Sequence, residues 1–434
     1  MSPQAFSKHT EALRLSAQLR KNILNTHYER LSRVKLMTGL VVPLLLALTM
    51  SACAKPTPTV PTSTPRPTDL GVDLVSKPTY PSVTYGIQAF LWWNPTMRSL
   101  DLEHVRLMNF GAVKQIFAWA AVQPNKGNVP DWSHADDVVN EVNYRNLKLI
   151  ARIDSIPSWA LNQGGSFPLN LSAWGKFCHD LATRYIGKIA GYQVLNEPNL
   201  AREWFGRSPN AKDYVTVLKT CGAQLKAADP QAVVISAGLA PTGTSSDQVI
   251  PDTLYLQQMY AAGLSSAYDV LGLHAPGYKS PPETDPGDAS LDGQRWQVFR
   301  HVEDMRAIQV ANGDGAKQIA ILEMGWTMDT VHKDYGWFAV TEAQQAQYLV
   351  GGYRYAAAHW RPWVGLMVTI YLPDITWTTA DEQYWWAIMV PGYNGPVRQA
   401  YIDLANMEKI SGDTVIPARL PGNSNKEYTP MPAP

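Results

Sequence analysis

From Thr84 onward the chain alternates short apolar runs with amphipathic stretches, and it does so eight times. The runs are TYGIQAF (Thr84 to Phe90), AVKQIFAW (Ala112 to Trp119), LKLIARID (Leu147 to Asp154), YQVL (Tyr192 to Leu195), AVVISAG (Ala232 to Gly238), DVLGLHA (Asp269 to Ala275), IAILEMGW (Ile319 to Trp326) and VGLMVTIYL (Val364 to Leu372). Helices are expected between them. The first spans Ser99 to Met108, where Leu100, Leu102, Val105 and Leu107 are apolar. Others cover Trp132 to Tyr144, Leu171 to Lys188, Ala211 to Ala228, Asp252 to Ala262, Gln294 to Ala311 and Thr341 to His359, with Val397 to Met407 closing the series. Strands that are apolar along their whole length suit a parallel sheet covered by its crossover helices. Eight such units at spacings of about 30 to 50 residues make an α/β fold, a single (β/α)8 TIM barrel forming one catalytic domain. The alternative is a doubly wound open sheet. The barrel is favoured because no glycine-rich phosphate loop follows the first strand.

Ahead of the barrel the sequence reads as an address. Arg33 and Lys35 precede the apolar run Gly39 to Met50, which is too short to span a bilayer and is closed by Ser51-Ala52-Cys53. Small residues before a cysteine resemble a bacterial lipobox. That resemblance implies cleavage before Cys53, lipidation of its thiol and tethering outside the cytoplasmic membrane, or secretion. Residues 1–53 are therefore a signal segment, with Met37 an alternative start, and 54–75 a Pro/Thr-rich spacer that cannot pack a core. The catalytic domain is expected over 76–420. A loop-like tail begins near Ser411, and 421–434 is flexible.

Strands four and seven end in chemistry. The fourth releases Asn196-Glu197-Pro198 and the seventh Glu323, each at the sheet edge where barrels keep their active sites. Cleaving a glycosidic bond needs a proton for the departing oxygen and a partner for positive charge on the sugar carbon. Two carboxyl groups supply both if one stays protonated and the other ionised. Glu197 is expected to be the acid and Glu323 the nucleophile, with Asn196 donating its amide to the sugar's 2-hydroxyl. Fifteen Trp and 20 Tyr offer flat faces for sugar rings, although most aromatic side chains are core.

From about Tyr85 to Leu404 these residues resemble the retaining (β/α)8 glycosidases of glycoside hydrolase clan A, families 5 and 39. In that clan the acid/base glutamate follows strand four in an Asn-Glu-Pro setting and the nucleophile follows strand seven. The resemblance implies that Lys114 stands where an arginine hydrogen-bonds the nucleophile. It places His274 and Tyr278 near the nucleophile and the sugar, and Tyr371 where a Trp usually floors the site, with Trp377 soon after. Trp204 and Trp326 are further candidates for the cleft wall. In the stretch Trp119 to Trp132, Gln123 replaces the usual Glu.

The net charge is +0, but residues 1–36 are basic and the remainder is mildly acidic, near −5, so no basic face invites nucleic acid. No cofactor is implied. No Cys-x-x-Cys or His-Glu-x-x-His spacing suggests a metal. Cys178 and Cys221 fall on consecutive helices, where a disulfide is one reading and buried free thiols the favoured one. The partner is a carbohydrate and the chain is expected to be a monomer. The competing reading is a tethered carbohydrate-binding protein with a degenerate site, or a transglycosylase using the same residues. The sugar itself, and endo or exo action, depend on loops beyond this reading.

Overall fold

The eight apolar runs become eight parallel strands, with helices outside them, in a computed structural model that describes residues 70–162 and 164–419. Residues 1–53 with Cys53, the spacer up to residue 69 and the tail 421–434 lie outside the described residues. β1 (Thr84–Gln88) leads through α1 (Pro95–Leu107) to β2 (Ala112–Ala118), the one-turn α2 (Trp119–Val122) and α3 (Ser133–Tyr144). β3 (Lys148–Asp154), α4 (Leu171–Arg184), β4 (Gly191–Val194) and α5 (Ala211–Ala228) follow. Then come β5 (Val234–Ile235), α6 (Asp252–Ala261), β6 (Leu271–Pro276), α7 (Val302–Ala311), β7 (Ile319–Gly325), α8 (Glu342–His359) and β8 (Val364–Thr369). The short α9 (Glu382–Trp386), α10 (Gln399–Asn406) and the hairpin of β9 (Lys409–Ser411) and β10 (Thr414–Ile416) complete the chain.

The strand order is β5-β4-β3-β2-β1-β8-β7-β6, and single parallel bridges from Ile235 to Val270 and Leu239 to Leu273 bring β5 against β6, so the barrel is nearly closed. At that seam Gly272 is needed: a Cβ there would stand 2.1 Å from the Ser236 carbonyl oxygen. Side chains alternate between two apolar layers. On β7, Ala320 and Leu322 pack in the barrel interior with Ile150, Ile235 and Val368, while Ile319 and Ile321 join the layer beneath the helices. Tyr80 belongs to the interior cluster, its hydroxyl on the Ala190 carbonyl (2.9 Å) and its backbone paired with the Gln318 carboxamide (2.8 and 3.0 Å). Helix starts carry their own signals. Asn94, Asn170 and Asn210 each accept the N–H three residues on, and Thr341 forms a capping box with Gln344.

Four expectations change. The helix expected from Gln294 begins at Val302, because extended backbone at Val298 separates two 3-10 turns ahead of it. The loop expected from Ser411 is partly the β9–β10 hairpin, tied to β1 by Ile410 N–H on the Tyr85 hydroxyl (3.1 Å). The spacer's last residues already pack: Arg306 donates to the carbonyls of Leu70 (3.0 Å) and Gly71 (3.2 Å), and Val75 is buried. Finally, Cys178 and Cys221 are not free thiols. They form a disulfide between α4 and α5 with Cα atoms 5.4 Å apart, because the two helices pack side by side along their length. Closing a loop of 43 residues removes unfolded-state entropy worth about 4 kcal/mol by the chain-entropy relation. Replacing both cysteines by serine should therefore lower the melting temperature by roughly 5 °C. Superimposable melting curves for variant and wild type would show that the bridge constrains nothing.

Candidate active site

Backbone irregularity aims the two glutamates. Strict alternation along β7 would turn Glu323 toward the helices, in line with Ile319 and Ile321. Pairing with β6 instead shifts by one residue, from Leu273 opposite Ile321 to His274 opposite Glu323, and the extra residue turns Glu323 into the barrel mouth. After β4, Leu195 and Glu197 both take left-handed backbone (φ 61° and 37°), a conformation that costs a non-glycine residue about 1 to 3 kcal/mol. Neighbours hold this turn in place. Leu195 N–H bonds the Ile153 carbonyl and Glu197 N–H the Gly238 carbonyl, both at 3.0 Å, while Asn199 bridges to the backbone of Ala240 and Ile250.

Glu197, His274 and Glu323 thus meet, with one oxygen or nitrogen of each within 4.8 Å of the others. His274 Nδ1 lies 2.9 Å from Glu197 Oε1 and 3.7 Å from Glu323 Oε2. Its Nε2 is buried without a partner among the described residues. Lys114, fully buried, reaches through the barrel from β2 to Glu323 Oε1 (3.1 Å) and the Leu322 carbonyl (2.8 Å). Arg152 on β3 adds a second cation, 3.7 Å from Glu323 Oε1. Burial alone would raise the Glu323 carboxyl, but the charges at His274, Lys114 and Arg152 outweigh it and bring it down to about 2. Burial likewise opposes ionisation of Glu197, yet its bonds to His274 and the charge of Arg202 leave it lowered. Two carboxylates and an imidazole could suit a metal ion, but Lys114 and Arg152 already hold positive charge against Glu323, which disfavours a dication there.

These groups sit in a cleft of about 470 Å³ at the C-terminal mouth of the barrel. Asn196 lines it, its Oδ1 accepting from Gln193 Nε2 (3.2 Å). Tyr371 lines it too, half-buried, with ring centroids 5.8 Å from Phe90 and 5.3 Å from Trp377. Tyr278 reaches the cleft, but its hydroxyl donates to the Pro241 carbonyl (2.8 Å) rather than to Glu323. Three aromatic assignments are corrected. Trp377 does not line the cleft and braces the Tyr371 ring instead. Trp204 is core, packed on Phe205 and Tyr214. Trp326 is also core, between Phe299 and Tyr348, with its indole N–H on the Ser280 carbonyl (2.9 Å).

Several cleft residues escaped the sequence reading. Arg152 had a signal: it stands two residues before Asp154, its ion-pair partner on the same face of β3. Arg202 and Glu203 follow Glu197 in the same loop. Trp386, whose indole N–H bonds Glu382 (2.9 Å), supplies a cleft aromatic that nothing in its sequence context marked. Gln88 lines the cleft from β1 with a buried Oε1 that has no partner among the described residues.

A scan of protein-family models finds no match, and a search of curated protein sequences finds none either. Solved structures do share the fold. A family 39 glycoside hydrolase from the gut symbiont Bacteroides cellulosilyticus WH2 superposes with a TM-score of 0.55 at 16% identity, over 76% of this chain and 64% of that one. A monomeric β-xylosidase from Caulobacter crescentus CB15 gives 0.55 at 16% identity, over 78% and 70%. A β-glycosidase, BGL167, gives 0.53 at 13%, over 76% and 96%. The chain therefore spans just under two thirds of the family 39 protein's length. Its fold is the (β/α)8 barrel of these glycoside hydrolases.

The corrected walls make a testable distinction. Trp326→Ala should destabilise the fold by about 3 to 5 kcal/mol in denaturant unfolding, as loss of a buried Trp does. Tyr371→Ala should instead weaken the hold on a glycoside about tenfold, with little change in the unfolding midpoint. The reverse pattern would return Trp326 to the cleft wall.

Proposed function

We propose that this chain hydrolyses β-linked glycosides with retention of anomeric configuration, Glu323 acting as nucleophile and Glu197 as acid and then base. The observation that carries this reading is the close approach of the two carboxylates, within 4.8 Å at one barrel mouth. Double displacement uses a separation of about 5 to 5.5 Å, whereas direct attack by water needs roughly 6.5 to 9.5 Å. The names of the structural neighbours, a β-xylosidase and a β-glycosidase among them, support β-linked sugars as the substrate class.

In the first step Glu323, held ionised by Lys114 and Arg152, bonds to the anomeric carbon as the bond to the leaving oxygen breaks. Glu197 gives that oxygen its proton. In the second step Glu197 takes a proton from water, the hydroxide oxygen bonds to the same carbon, and the ester to Glu323 breaks. Two inversions restore the starting configuration. Asn196, beside the acid and lining the cleft, is placed to donate to the 2-hydroxyl as charge develops. The test is an NMR time course of the first-formed anomer on β-linked oligosaccharides, which should keep its configuration. Glu323→Ala should abolish turnover. Glu197→Ala should spare the first step for activated aryl glycosides and, with azide, yield a glycosyl azide of unchanged configuration. An inverted product would refute the nucleophile role of Glu323.

The second reading, a carbohydrate-binding protein without turnover, has one observation behind it: both oxygens of Glu197 are already engaged, Oε2 by the Arg202 guanidinium and Oε1 by His274 Nδ1. Failure of wild type to cleave any glycoside it binds would favour that reading.

We further propose that the chain is exported and tethered through a lipidated Cys53. The apolar run, the small residues before Cys53 and the Pro/Thr spacer support this, as does a disulfide that persists in oxidising compartments. Detergent should be needed to extract the native protein, and Cys53→Ser should end lipid labelling. Recovery from the cytosol with residues 1–52 intact would count against it.

A further inference from the structure

The acid assigned above has a cation on one of its oxygens in this geometry. Glu197 Oε1 lies 2.9 Å from His274 Nδ1, and Oε2 accepts from Arg202 Nη2 (3.2 Å). A proton on Oε2 would face the hydrogens of a guanidinium, which can only donate. Departure of that guanidinium favours the protonated form that an acid needs. His274 is fixed: its side chain is 2% exposed and its ring fills the space beside Gly238, where a Cβ would stand 2.1 Å away. Arg202 is not, with 69% of its side chain exposed. A second carboxylate waits next to it. Glu203 Oε1 lies 3.8 Å from Arg202 Nε, also lines the cleft, and is pushed up to about 7 by burial, which the charge of Arg152 only partly offsets.

We propose that Arg202 is a positioning residue that exchanges between two carboxylates: on Glu197 it keeps the acid ionised, and when a leaving-group sugar enters it moves to Glu203. Glu197 then takes one proton from solvent, the proton it later gives to the glycosidic oxygen. This inference rests on the acid role proposed for Glu197. The other charged and titratable groups that face Glu197 stay in place during the exchange. They are Lys114 from β2, His274 from β6, Glu323 from β7, and the hydroxyls of Tyr278, Tyr335 and Tyr371 from the surrounding loops.

The experiment is the pH dependence of kcat/KM and of kcat for Arg202→Met and Glu203→Gln on an alkyl β-glycoside that wild type cleaves. Removing a cation from an acid raises its pKa, so in Arg202→Met the basic limb of kcat/KM should move up by about one pH unit. The basic limb of kcat should hardly move, because in the bound complex the guanidinium has already left. Glu203→Gln removes the second landing place and should move the kcat/KM limb down. Dinitrophenyl glycosides, whose first step needs no proton, should show neither shift. An unmoved basic limb in Arg202→Met, or a loss uniform across pH and leaving groups, would overturn the exchange while leaving the glycosidase reading intact. Absence of turnover by wild type on every glycoside would overturn both.

Discussion

A carboxylate withdrawn into a barrel mouth keeps its charge only if other charges meet it, and for Glu323 that need is met first by Lys114. The ammonium starts on β2 and ends on a residue of β7, with β1 and β8 lying between them in the sheet order. Only a closed ring of strands lets one side chain span that distance through the interior. The pair is costly to bury and strongly destabilising to break, so both ends depend on rigid backbone. Strands buried along most of their length supply that rigidity, and Arg152 on the neighbouring β3 shares the charge.

Around this pair the backbone departs from regularity at two places. One residue is inserted in β7 relative to β6, and two non-glycine residues after β4 are left-handed. Each departure turns a carboxylate from a direction that regular structure would give it into the cleft. Their cost is offset nearby, where Asn199 joins the loops after β4 and β5 through hydrogen bonds at both ends of its carboxamide. The proposed exchange of Arg202 sits on the outer side of the same turn, where exposure leaves a long side chain free to move. Rigid and mobile parts of the site are thus separated by burial.

The aromatic residues show how far a one-dimensional pattern reaches. Trp326 directly follows the strand that carries Glu323, and Trp204 lies seven residues after Glu197, yet both indoles are core. Nearness in sequence to a cleft glutamate says little about which way a large ring points, because a Trp at a strand end can turn toward the helices as readily as toward the mouth. Trp386 has the opposite history: it is remote from both glutamates in sequence and joins their cleft through the loop after β8.

The sequence by itself determined the eight strand–helix units, their order, and which two strands end in glutamates, because these follow from hydrophobic periodicity and local turn chemistry, which act over a few residues. The resemblance to clan A glycosidases, carried by their places on strands two and six, marked Lys114 and His274 as neighbours of Glu323. Only the tertiary structure decided the rest. Closing the barrel set the carboxylates within reach of each other and threaded Lys114 between strands far apart in the chain. Packing α4 along α5 joined Cys178 to Cys221, and folding the segment after β8 over the mouth brought Trp386 into the wall. These are contacts between elements, and their energies depend on distance and burial, which no run of residues read alone specifies.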